Sequence, residues 1–155
     1  MVDSELAEFI ESGVAMLGAS RGDDLRPEAF RAWGAFVADD GRLRVLIGSD
    51  AGRTLDNLAA NGQIAVTFTD IQSFRSVQIK GEVSGDVQPA DASDLEHLRR
   101  YHARFCARLV EIGHPRGLGD RLRPFALFAA WVDVADLYDQ TPGRVAGARL
   151  GAAGA

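Results

Sequence analysis

The chain has 155 residues, 46% of them hydrophobic, and a formal net charge of −5. Without a run of about 18 apolar residues it offers no membrane-spanning helix, and its acidic balance speaks against a nucleic-acid partner, whose phosphates call for a basic face. One cysteine excludes an internal disulfide framework, and the missing basic-then-apolar leader makes the cytoplasm the expected location.

In chain order, Leu6, Phe9 and Ile10 give one apolar face to a short first helix that Gly13 ends. Gly13 to Ala19 reads as a buried strand, Ser20 to Pro27 as a polar loop and Phe30 to Ala38 as a second strand. The tight turn Asp39-Asp40-Gly41 returns the chain as Leu43 to Ile47, which makes a hairpin. Ala51 to Asn61 is a helix with Leu55 and Leu58 on one side, stopped by Asn61-Gly62. Gln63 to Thr69 and Phe74 to Ser84 are two more strands.

After Pro89 the period changes. Ser93-Asp94-Leu95-Glu96 has the form of a capping box, and Leu95, Leu98, Phe105, Leu109 and Ile112 follow at helical spacing until Gly113 and Pro115. Arg99, Arg100, Arg104 and Arg108 lie opposite and are expected to form a solvated face. His97 and His102 point to different faces, His114 falls past the helix end, and Cys106 reads as a small buried hydrophobe, so no metal centre is expected. Gly117-Leu118-Gly119 lacks the third glycine and preceding strand of a dinucleotide fingerprint, and no Gly-x-Ser-x-Gly elbow occurs. Phe125 to Asp136 is the last strand. Gln140-Thr141-Pro142-Gly143 follows, with a tail expected to be loose from Ala146; the reading is one domain over 1–145 and a flexible tail over 146–155. About six strands joined mostly by short turns predict a mainly β protein, a small closed or half-closed antiparallel barrel with flanking helices.

The chemistry concentrates between Arg44 and Lys80. At the end of the third strand, Gly48-Ser49-Asp50-Ala51-Gly52-Arg53-Thr54 gathers small residues, hydroxyls, an arginine and a helix start, which together suit a phosphate. Along Phe74 to Gly81, alternation puts Phe74, Ser76, Gln78 and Lys80, the chain's one lysine, on one face and Arg75, Val77 and Ile79 on the other. That polar face meets either water or a polar ligand. A glutamine there could pair with both an imide N–H and a carbonyl.

The order of these features resembles the pyridoxamine 5'-phosphate oxidase-like family of FMN-binding split barrels. The likeness rests on the Asp-Asp-Gly turn, Ser49-x-x-x-Arg53-Thr54, Leu55-x-Asn57-Leu58, Asn61-Gly62-x-Ile64-Ala65-Val66 and Arg75-Ser76-Val77-Gln78-Ile79-Lys80-Gly81, over roughly Leu6 to Gly85. It implies a six-stranded Greek-key barrel, a homodimer, and FMN in each of two grooves lined by both subunits. Arg53 matches the family's phosphate-binding arginine, with Ser49 and Thr54 at neighbouring phosphate positions. Ser76 matches a ring-contacting position where well-known members have Gln, and Gln78 on the same face is the substitute, beside Lys80. Arg31 falls near the family's first cofactor-contacting strand. Thr54 stands where oxidases often have Lys, and Asp50 puts a negative charge near the phosphate unless it turns away. The implied activity is flavin-dependent oxidation or reduction of an unidentified small molecule, with no side chain assigned as an acid or base. A non-enzymatic flavin- or haem-binding module and a deazaflavin-dependent reductase are the alternatives.

Overall fold

The structure is a computed structural model that describes residues 2–122 and 126–151. Helix α1 (Ser4–Glu11) leads into β1 (Ala15–Arg21), β2 (Pro27–Val37) and β3 (Leu43–Gly48), and α2 (Thr54–Asn61) into β4 (Gln63–Thr69) and β5 (Ser76–Val83). The two-residue β6 (Gln88–Pro89), α3 (Ala92–Glu111), short α4 (Leu118–Arg121), β7 (Leu127–Asp139) and two-residue β8 (Arg149–Leu150) follow. Strands in the order β3-β2-β1-β4-β5-β7 pair antiparallel, and β3 pairs β7 to close the ring. Because β4 returns beside β1 after the β1-β2-β3 meander, the spatial order is that of a Greek key. The expected split-barrel fold is what the chain adopts.

Alternation fills the barrel. Val66 and Phe68 of β4 face Ile79 and Val77 of β5 in register, and all four are buried with Met16, Phe30, Val45, Ile47 and Val132. The Phe30 ring lies directly on Gly18, where a Cβ would collide with it. Leu6, Phe9 and Ile10 of α1 join this same core. Gly62 ends α2 with a φ of 69°, the left-handed cap that the Asn-Gly pair predicts.

Every residue of β3 is buried, because the barrel covers one face and α3 helps to cover the other. What fastens α3 there is a buried ion pair. Arg44 Nε donates to Asp94 Oδ1 at 3.0 Å and Nη2 to Oδ2 at 2.7 Å. Asp94 also takes part in the true capping box, in which Asp91 is the N-cap. The helix therefore starts before Ser93, and Ser93 and Glu96 are not its capping pair. Its buried stripe runs Asp94, Tyr101, Phe105 and Leu109, while Leu95 and Ile112, expected in the stripe, are exposed. Arg104 and Arg108 are not simply solvated: they donate to the carbonyls of Glu11 and Ser12 at 2.6 and 3.0 Å, capping the C-terminal end of α1, and Arg108 also pairs with Asp70. His97 stacks on Phe36, and His102 lies 3.0 Å from the Gly119 carbonyl. Cys106 is half-buried rather than buried.

Other boundaries shift as well. β1 is not buried throughout, since Leu17 on its outer side is 65% exposed. Phe74 lies before β5 with a φ of 60°, so it does not share the strand's polar face. The expected start of the last strand at Phe125 lies outside the described residues, and β7 runs on to Asp139 rather than ending at Asp136. From Ala146 the chain, expected to be loose, bonds back: Gly147 N–H donates to Asp139 O at 2.6 Å, and Arg149 and Leu150 pair with Tyr138 and Leu137. Residues 152–155 of that tail lie outside the description.

Burial by itself would raise the Asp94 pKa, but the Arg44 hydrogen bonds, the Asp91 N–H and the Arg44 charge outweigh it and hold the carboxyl below its ordinary range. The stability this supplies is present at neutral pH and is lost as pH falls through that lowered pKa. Asp94→Ala is expected to cost about 3–5 kcal/mol by leaving Arg44 buried and unpaired, and Arg44→Met with Asp94→Leu much less. Denaturant melts of the three proteins, with wild type and Asp94→Ala compared at neutral and acid pH, check both statements.

Candidate functional site

The outer wall of the barrel carries the polar positions singled out above. Arg31 on β2 is in register with Leu17 on β1, Leu17 with Thr67 on β4, Thr67 with Gln78 on β5, and Gln78 with Tyr138 on β7. One row thus runs across five strands. A parallel row joins Ala29, Ala19, Ala65, Lys80 and Asp136. At ~4.8 Å per strand, Arg31 and Gln78 lie roughly 14 Å apart across three strand spacings, so a single chain does not bring them together.

The β5 patch is well ordered by its own contacts. Gln78 Nε2 donates to Thr67 Oγ1 at 3.0 Å, leaving its side-chain carbonyl oxygen without a donor among the described residues, and Lys80 sits over the Tyr138 ring at 4.8 Å. Ser76 is buried and fully engaged. Its N–H donates to Thr141 Oγ1 at 3.0 Å, its hydroxyl lies 2.9 Å from Thr69 Oγ1, and its carbonyl accepts from Gln140 N–H at 2.8 Å. The Gln140-Thr141 segment therefore clamps the start of β5.

The second patch is the β3–α2 turn. Ser49 and Arg53 are exposed on it, and Arg53 Nη2 reaches Asp24 Oδ2 at only 3.9 Å. Thr54 points the other way: it is wholly buried, and its hydroxyl accepts from Ser20 at 3.3 Å, with Asn57 donating to Ser20 in turn. It braces α2 against β1. Asp50 does not cap α2, whose N-cap Arg53 makes no side-chain cap bond; its carboxylate folds back over Gly48.

The sequence reading passed over two buried donors, one of them, Trp33, at this patch. Trp33 and Tyr101 are each only 5% exposed, yet among the described residues Trp33 Nε1 and Tyr101 Oη have no hydrogen-bond partner. A Cβ placed on Gly48 would come within 2.8 Å of that indole nitrogen, so the N–H lies against the glycine of the turn. Arg31 lies over the Trp33 ring at 4.5 Å and over Phe105 at 5.0 Å. Burial pushes the Tyr101 pKa up to about 12 against the nearby Arg31 charge, so the phenol remains a donor at neutral pH. Buried donors without acceptors are rare and costly, about 1–3 kcal/mol each. The sequence hint was the Arg31-x-Trp33 spacing beside a phosphate-like turn.

The sequence profile of the pyridoxamine 5'-phosphate oxidase family matches residues 2–135. The chain belongs to that family. Pyridoxamine 5'-phosphate oxidase relatives commonly bind flavin. Among solved structures, Group A Streptococcus HupZ superposes with a TM-score of 0.57 at 18% identity, covering 95% of this chain and 100% of that one. An F420 reductase gives 0.53 at 19% identity over 84% and 93% of the two chains, and a putative pyridoxamine 5'-phosphate oxidase from Lactobacillus delbrueckii gives 0.55 at 14% over 88% and 92%. At such identities these likenesses establish the fold alone. No curated protein matches the chain.

The two faces of β5 make a direct test. Val77, paired with Phe68 inside the barrel, should cost on the order of 1–3 kcal/mol when cut to Ala, whereas Gln78→Ala should stay within about 0.5 kcal/mol in the ligand-free protein. Denaturant melts of the two variants show whether the register assigns the faces correctly.

Proposed function

We propose that this protein is an FMN-binding oxidoreductase acting on a small molecule, with its groove completed by a second copy of the chain. The observation that carries the reading is the unpartnered Trp33 N–H against the glycine of the turn that presents Arg53, in a family whose members commonly bind flavin. An orphaned buried donor and turn glycines without side chains fit a ligand end bearing oxygen atoms. Arg53 would hold the phosphate, with Ser49 beside it on the turn. Gln78 and Lys80, with Ser76 behind them, would line the ring side, while Trp33 and Arg31 flank the groove. Bound flavin supplies hydride acceptance at its ring; the chain's own residues position it and exclude water.

The separation of roughly 14 Å between Arg31 and Gln78 across three strand spacings supports a groove shared by two copies, each lending one patch. The bare outer wall supports it too. Leu17 is exposed there among Ala15, Ala19, Ala65 and Thr67, small uncharged neighbours that leave a flat surface for a second barrel.

Titration with FMN should give saturable quenching of the flavin fluorescence, and mass spectrometry of ligand carried through purification, before any is added, separates FMN from a deazaflavin or haem. Arg53→Ala should weaken FMN binding roughly 10- to 150-fold, the worth of a charge-assisted pair of about 1.5–3 kcal/mol, without altering the fold. Unchanged affinity in a fluorescence titration would move the phosphate elsewhere. Light scattering at micromolar concentration should give twice the chain mass of 16.6 kDa, and a monomer would remove the shared groove.

A further inference from the structure

The turn that carries Arg53 is ringed by acids. Asp24 Oδ2 lies 3.9 Å from Arg53 Nη2 and already shares its charge. Glu28 reaches across from β2: a Cβ on Gly52 would lie 2.7 Å from Glu28 Oε1. On the other side, the Asp50 carboxylate rests on Gly48. Three carboxylates thus surround Arg53, of which Asp24 is also paired with Arg26 at 3.5 Å, so the turn and its flanks keep an excess of negative charge. The turn's own donors are also partly spent, since Ser49 N–H donates to Ala126 O, Ala51 N–H to Gly48 O and Thr54 N–H to Ala51 O at 2.9–3.1 Å. The Thr54 hydroxyl faces Ser20. Among the described residues, the donors left are the exposed Ser49 hydroxyl and Arg53 and, buried behind them, the neutral Trp33 N–H.

Such a site recognises oxygen atoms but repels a dianion, and a terminal phosphate carries about −1.5 to −2 charges at neutral pH. On the flavin reading above, we infer that Asp24, Glu28 and Asp50 set a weak grip on the phosphate end, so that the flavin is an exchangeable partner that comes and goes from solution rather than a resident group. Arg53 and the Trp33 N–H offer donors to the oxygen atoms of that end. The carboxylates keep it from being held.

The experiment compares FMN with riboflavin, which lacks the phosphate, by fluorescence titration and by retention through gel filtration. Wild-type protein is expected to bind FMN less than about tenfold more tightly than riboflavin and to lose it on the column. The isosteric variants Asp24→Asn, Glu28→Gln and Asp50→Asn should each raise FMN affinity about three- to tenfold, slow FMN dissociation and leave riboflavin binding unchanged, as removal of one partly screened charge predicts. FMN bound more than a hundredfold tighter than riboflavin, or FMN affinity indifferent to all three variants, overturns the inference and leaves the flavin reading intact. Saturable binding of neither flavin overturns the flavin reading and this inference with it.

Discussion

The arrangement of this protein depends on one buried ion pair. Arg44 projects from the outer face of β3, where a charge would be costly, and Asp94 meets it with both oxygens from the first turn of α3. Taking two ions out of water gains little net stability, but the pairing selects a single docking of a long helix on the barrel wall. With that end fixed, Tyr101 and Phe105 come to rest near Arg31, and the barrel surface divides into a covered half over β2 and β3 and a bare half over β1, β4 and β5.

Elements that owe their form to local pattern were legible in the sequence. The 2-residue alternation of β4 and β5, the Asn61-Gly62 stop and the Asp39-Asp40-Gly41 turn are local statements, and each stands in the structure. Misreadings on α3 come from partners far away in sequence. Asp94 sits in an apolar stripe because Arg44, fifty residues earlier, neutralises it. Arg104, still exposed, and Arg108, half-buried, bond to carbonyls because α1 ends beside them.

The same distinction runs through the candidate site. Thr54 and Ser76 stood at positions that the family resemblance matches to the cofactor, but Ser20 takes up the Thr54 hydroxyl, and Thr69 and Thr141 take up Ser76. Arg53 and Gln78 each keep hydrogen-bonding capacity toward the surface. Trp33 went unremarked in the sequence, and only the geometry around Gly48 reveals, among the described residues, a donor without an acceptor.

Barrel closure falls to the last long strand. β7 pairs with β3, β5, β6 and β8, so every seam that turns the sheet into a ring waits for residues beyond Leu127. During synthesis the chain passes through a stage in which β3 and β5 are open sheet edges, carrying unpaired backbone groups beside apolar side chains. Such edges invite pairing with other chains, and contacts of this sequence separation form slowly. The protein is therefore most vulnerable as a nascent chain, and a pause before β7 emerges from the ribosome is the moment when misassociation competes with folding.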